Sequence, residues 1–139
     1  MKKIFLFASA LVFSVAVMAQ TQLKADDVIK FTQEKHDFGK IKKGVPVTYF
    51  FEFKNISDKP IVVENASASC GCTIPEKPEK PIAPGATGKI KVQYNAAAVA
   101  IFNKDVYIKL AGIEQPKTVH ITGEVVADDS AATKKTGNK

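Results

Sequence analysis

The chain contains no tryptophan and no arginine, and only two cysteines and two methionines, Met1 and Met18. Its 20 lysine-or-arginine residues are therefore all lysine. Specific reading of nucleic acid leans on arginine forks that grip guanine or phosphate at two points. Their absence excludes that partner class despite a formal charge of +6. The basic balance reads as solubility, with a weak attraction to anionic envelope surfaces. Glycine-rich phosphate loops and the Gly-x-Ser-x-Gly nucleophile turn are also missing. No cofactor, no catalytic residue and no enzymatic activity is expected. With the two cysteines only two positions apart, no disulfide can join distant strands, so any fold must rest on packing.

What is present begins with an export pattern. Lys2 and Lys3 precede an uncharged, mostly apolar run over residues 4–18, and Val17-Met18-Ala19 offers small residues at the positions a signal peptidase reads. A membrane-spanning helix needs roughly 20 apolar residues, and this run stops short. No cysteine follows it, which speaks against a lipid-anchored signal. The expectation is a signal peptide over residues 1–19 cleaved after Ala19, a polar leader over 20–27, a folded domain over 28–126 and a disordered tail over 127–139. The tail has no apolar period with which to offset its ordering entropy. Cleavage removes both methionines and two lysines. The product is periplasmic or secreted, with no membrane span.

The body reads as strands. Val45, Val47, Tyr49, Phe51 and Phe53 alternate with Pro46, Thr48, Phe50, Glu52 and Lys54, a period of two that puts the first set on one face. A polar turn ends at Pro60, and a second strand starts at Ile61-Val62-Val63 with a bulge expected near Glu64-Asn65. Pro75, Pro78, Pro81 and Pro84 mark loop or edge. Ile90, Val92 and Tyr94 face inward on the next strand, Val106, Ile108 and Leu110 on another, and Val119, Ile121, Gly123 and Val125 on the last. Residues 96–102 alone could hold a helical turn, too short to stand by itself. About seven strands in one domain indicate an all-β, immunoglobulin-like, antiparallel β-sandwich.

Several blocks fall in a fixed order: His36-Asp37-Phe38-Gly39, Gly44, Phe51-Glu52-Phe53-Lys54-Asn55, Cys70-Gly71-Cys72-Thr73, Ile82-Ala83-Pro84-Gly85 and Gly123-Glu124. Together they resemble the secreted bacterial proteins grouped as domain of unknown function 1573. The resemblance implies an immunoglobulin-like sandwich similar to chaperone-pilin (PapD-like) and Hydin-type domains, with no established activity. Two stretches depart from that pattern. Residues 96–101 are more apolar than the usual loop, and Leu110-Ala111-Gly112 lacks an asparagine.

Cys70-Gly71-Cys72 carries the chemistry on offer, with Ser69, Gly71 and Thr73 as neighbours of the candidate site. In an extended strand the two cysteines stand about 6.6 Å apart on one face, near the long end of disulfide geometry. A bend at Gly71 would bring them closer. An internal bridge, thiol exchange, capture of a soft metal ion, and simple packing as small hydrophobes all fit. Further metal ligands are thin: His36 is a weak candidate, with pairing to Asp37 or capping of a turn as its other readings, and His120 reads as a solvated surface histidine. The leading expectation is an exported, non-catalytic interaction or structural module whose partner is another envelope protein. The alternative is a thiol-redox or soft-metal-handling protein built on Cys70 and Cys72.

Overall fold

Alternating apolar side chains bury one face of each strand, and two such faces close on one another. The computed structural model describes residues 22–127. The expected signal peptide and nearly all of the expected tail lie outside them. Eight strands follow in order: β1 (Ile29–Phe31), β2 (Lys35–Lys42), β3 (Val47–Asn55), β4 (Val63–Ala68), β5 (Thr73–Glu76), β6 (Thr87–Tyr94), β7 (Ala100–Leu110) and β8 (Lys117–Val126). They form two four-stranded sheets with orders β1-β3-β6-β5 and β2-β8-β7-β4. The fold is an all-β sandwich, and the two short strands β1 and β5 bring the count to eight rather than seven.

Pairing is antiparallel with one exception. β2 runs parallel to β8, which corrects the wholly antiparallel expectation. Residues 32–34 carry the chain from one sheet to the other without reversing it. It therefore meets the last strand travelling in the same direction.

The inward faces are those the period of two marks. Phe51, Ile90, Val92, Val106, Ile108, Val119, Ile121 and Val125 are fully buried. Phe50 points out, half exposed, as its alternate position requires. Val45 departs from the inward set: it precedes β3 in a turn and is 52% exposed. The bulge falls where expected, as a register shift between Val63 and Asn65. Ile61, expected to open that strand, instead makes an isolated bridge to Ile82. Residues 96–99 form no helical turn. Ala96 is buried with φ of 51°, and the chain enters β7 at Ala100.

Two polar devices tie the ends. Asn55 is fully buried, and its side-chain amide donates to the carbonyls of Lys59 (2.7 Å) and Ile82 (2.9 Å). Its Oδ1 accepts from the Ser57 N–H (2.9 Å) and hydroxyl (2.8 Å), so every polar atom of this buried amide is satisfied. The polar stretch ahead of β1 forms a 3₁₀ turn (Ala25–Asp27) with Ala25 buried. Lys117 of β8 reaches Asp26 at 2.5 Å and Glu34 at 2.7 Å. Burial works to lower the Lys117 pKa, but hydrogen bonds to these two carboxylates outweigh it and raise it.

Candidate functional site

β4 is an edge of one sheet and β5 an edge of the other, and four residues, Ser69 to Cys72, carry the chain between them. Sulfur chemistry therefore sits on a sheet-to-sheet crossover. Cys70 and Cys72 form a disulfide with their Cα atoms 5.3 Å apart, inside the usual range. The Thr73 N–H donates to the Cys70 carbonyl (3.3 Å), and the Asn95 N–H donates to the Cys72 carbonyl (3.0 Å). Cys72 packs against the core, whereas Gly71 is exposed. The Thr73 hydroxyl, almost wholly buried, lies 3.7 Å from Cys70 Sγ.

The remaining sequence-derived candidates divide. Ser69 joins the crossover to β7: its N–H donates to the Asp105 carbonyl (3.0 Å), and its Oγ accepts from the Asp105 N–H (3.2 Å). Asp105 Oδ1 stands 2.7 Å from His120 Nδ1 across the β7–β8 ladder. His120 is thus partnered rather than merely solvated. Tyr107 donates to the other Asp105 oxygen at 3.4 Å. Asp105 and Tyr107 escaped the sequence reading because their partners lie far along the chain and no local pattern marks them.

His36 stands apart from this group. It neither caps a turn nor pairs with Asp37, whose Oδ1 accepts from the Gly39 N–H at 2.9 Å. The imidazole stacks on the Tyr49 ring with centroids 3.6 Å apart and meets Phe38 edge-on. It thereby closes the seam between β2 and β3. Burial lowers its pKa from 6.5, against a raising pull from Asp37. Among the described residues, no three His, Cys, Asp or Glu side chains form a group that could hold a metal ion.

The sheet edges are unequal. In the β5–β6 ladder, Asn95 bonding to Cys72 sets the phase, so Thr73 and Pro75 face outward. The Thr73 N–H is already used within the turn and Pro75 has none, so this edge offers no free donor. β2 carries Lys35, Lys40 and Lys42 and a bulge at Gly39, whose φ is 65°. Lysines and bulges are the usual guards of an edge. β1 is three residues long. β4 has neither lysine nor proline. With Ser69 bonded to Asp105, Asn65 and Ser67, past the bulge, face β7, and Ala66 and Ala68 turn their N–H and C=O groups to the open side.

At the far end, a groove of about 500 Å³ is lined by Leu23, Val28, Pro60, Ile61, Leu110 and Ile113, among others. None of the candidate site residues lines it. Among the described residues, no helix is long and apolar enough to cross a membrane.

The sequence profile of a family described as "Protein of unknown function (DUF1573)" matches residues 29–125. No curated protein matches the chain. Among solved structures, it is similar to a protein of unknown function from Porphyromonas gingivalis W83, with TM-score 0.60 and 14% identity over 70% of this chain and 46% of that one. It is also similar to the VesB protease of Vibrio cholerae, with TM-score 0.56 and 14% identity over 73% of this chain and 33% of that one. The chain thus spans less than half the length of either. The ASH/PapD-like domain 7 of human CEP192 gives TM-score 0.60 and 9% identity over 82% of this chain and 96% of that one. At such identities the likeness is one of fold.

Proposed function

The chain belongs to the DUF1573 family, and from that premise we propose that it is an exported, non-catalytic protein-interaction module. It would take an extended segment of another envelope protein onto the open edge of β4. One observation carries this reading: of the four sheet edges, β4 alone combines several outward backbone groups with small, uncharged neighbours. Ala66 and Ala68 present donors and acceptors, and Ser67 is exposed beside them. A strand laid there would extend the β2-β8-β7-β4 sheet, gaining affinity from main-chain bonds and specificity from alternate side chains. The PapD-like fold supports a protein partner, and the apolar N-terminal run supports export.

An Ala66→Pro variant tests the edge. The Ala66 N–H makes no ladder bond to β7, so proline there removes an outward donor and leaves the sandwich paired. A photo-crosslinker at Ser67 in the native envelope is expected to capture a discrete protein partner. Ala66→Pro should lose it while the thermal midpoint stays within a few degrees. Equal capture by both forms would sink the edge reading.

The thiol-exchange alternative draws support from the exposure of Gly71 beside the bridge. Trapping with Cys72→Ser would then yield mixed disulfides to a defined protein through Cys70. Their absence counts against it.

A further inference from the structure

Beyond the β4 edge, a second surface stands out by its composition. β3, β5 and β7 begin, and β2, β6 and β8 end, at one end of the sandwich. The β2–β3 and β6–β7 loops meet there through the Gly44 N–H, which donates to the Ala96 carbonyl at 2.8 Å. This tip is apolar and open to solvent: Val45 is 52%, Val99 56% and Ile101 83% exposed, and Ala97, Ala98 and Ala100 are exposed between them. The loop cannot easily fold its aliphatic groups away. Ala96 is buried in the left-handed region with φ of 51°, and the Ala97 N–H is held by Asn95 Oδ1 at 3.2 Å.

The charge around this tip is mostly positive. Over residues 40–46 and 95–104 the sequence carries Lys40, Lys42, Lys43 and Lys104 and no acidic residue. On the outer face of the sheet, Lys40, Glu124 and Ile101 share one row across β2, β8 and β7. Glu124 and Asp37 are the acids beside Ile101; Glu124 stands 4.0 Å from Lys40 with both side chains exposed, and such a pair is weak. Asp128 and Asp129 follow the tip in sequence, but Lys134, Lys135 and Lys139 outnumber them.

Exposed aliphatics ringed by lysine suit one kind of partner better than another. Protein interfaces are depleted of lysine and alanine at their centres and anchored by tryptophan, tyrosine or arginine. The exposed apolar residues of the tip are valine, isoleucine and alanine. A lipid interface rewards shallow aliphatic insertion together with basic residues facing anionic headgroups. We propose that this tip is a contact site for an anionic lipid surface, with Val45, Val99 and Ile101 entering the interfacial layer. Lys40 and Lys43 then meet the headgroup phosphates. The contact holds the domain at the membrane without crossing it and leaves the β4 edge, on the side of the sandwich, accessible.

Co-sedimentation with lipid vesicles tests this directly. The purified chain is mixed with vesicles of phosphatidylcholine alone, or with about a third of the lipid replaced by phosphatidylglycerol. Because residues 4–18 are themselves apolar, every variant is compared in the same chain, and only differences are read. Binding to anionic vesicles should be at least about tenfold tighter than to neutral ones and should weaken with salt. Val99→Ser with Ile101→Ser, and separately Lys40→Gln with Lys43→Gln, should each weaken it about tenfold or more, without moving the thermal midpoint. Equal binding to both vesicle types, or no change in the Val99/Ile101 variant, would overturn the proposal. So would self-association that these substitutions abolish in the absence of any vesicle binding, which would assign the tip to a second copy of the chain.

Discussion

Gly123 of β8 lies opposite Phe102 of β7 and beneath its ring, so that a Cβ on Gly123 would stand 2.7 Å from Phe102 Cζ. The same Cβ would meet the Gly39 carbonyl oxygen at 2.9 Å. Phe102 in turn stacks on Tyr94, with centroids 4.0 Å apart, and reaches Phe38. The absence of a side chain at one position thus lets three aromatic rings from β2, β6 and β7 gather at the tip end of the core.

Gly123→Ala is therefore expected to destabilise the domain by about 1–3 kcal/mol through overpacking. Urea denaturation reads this as a lower midpoint at unchanged slope. Adding Phe102→Leu should recover part of the loss, because the two residues share one space and their effects are coupled. Strict additivity of the two substitutions would mean that the clash is not with Phe102.

Asn55 should be equally intolerant for a different reason. Asn55→Leu leaves the carbonyls of Lys59 and Ile82 without the Asn55 amide donor inside the protein. Those carbonyls keep the Ser57 hydroxyl and the Ile61 N–H as donors, but the Ser57 N–H loses its acceptor. An unpaired buried group costs about 1–3 kcal/mol, and a loss of about that size is expected by chemical denaturation. Asn55→Asp should also destabilise, since it sets a carboxylate against the same two carbonyls. A loss under about 1 kcal/mol for Asn55→Leu would show that the remaining donors suffice and that the Ser57 N–H finds another acceptor.

The Cys70–Cys72 bridge closes a loop of three residues, so its effect on the unfolded chain is small, about 1.6 kcal/mol at most by the chain-entropy relation. The Cys70→Ser, Cys72→Ser double variant should fold and lose no more than about 2 kcal/mol. Intact mass of the exported protein should read about 2 Da below the reduced form, the two thiol hydrogens lost on bridging. Free thiols in that preparation would contradict a resident bridge, and failure of the double variant to fold would assign the bridge a larger structural role.

His36 gives a pH signature with a definite sign. Burial against Tyr49 and Phe38 lowers its pKa from 6.5 and outweighs the raising pull of Asp37. As pH falls through 6.5, the unfolded chain takes up this proton before the folded one, and stability drops. Above about pH 7.5 the imidazole is neutral in both states and the term vanishes. The stability difference between the parent and His36→Gln, followed by thermal melts, should shift against the parent on going from pH 8 to about pH 5. Parallel curves, or a shift in the parent's favour, would refute it.

Much of the core was legible in advance because a strand's faces are set locally. Successive side chains point to opposite sides, so the inward residues of β3, β6, β7 and β8 follow from apolar spacing alone. The bulge at Glu64-Asn65 and the edge placement of Pro75 follow similarly from a broken phase and a missing N–H. The candidate site was legible only in part. Cys70, Gly71 and Cys72 mark themselves, whereas Asp105 and Tyr107 reach Ser69 and His120 through β-pairing between segments distant in sequence. His36 looked like a weak ligand and became a stacking partner of Tyr49 because β2 crossed to the other sheet.

By itself, then, the sequence determined the buried faces of β3, β6, β7 and β8, that the fold is a sandwich, and that the only sulfur chemistry of the body lies in one tripeptide. It did so because periodicity, proline and cysteine spacing act over a few residues. Only the tertiary structure decided that β2 runs parallel to β8, that β4 is the unguarded edge, and that the disulfide spans a crossover between sheets. It also decided that Val45, Val99 and Ile101 share one exposed tip with Lys40, Lys42 and Lys43. These depend on register and sheet order, which arise from contacts between distant segments and leave no local trace in the chain.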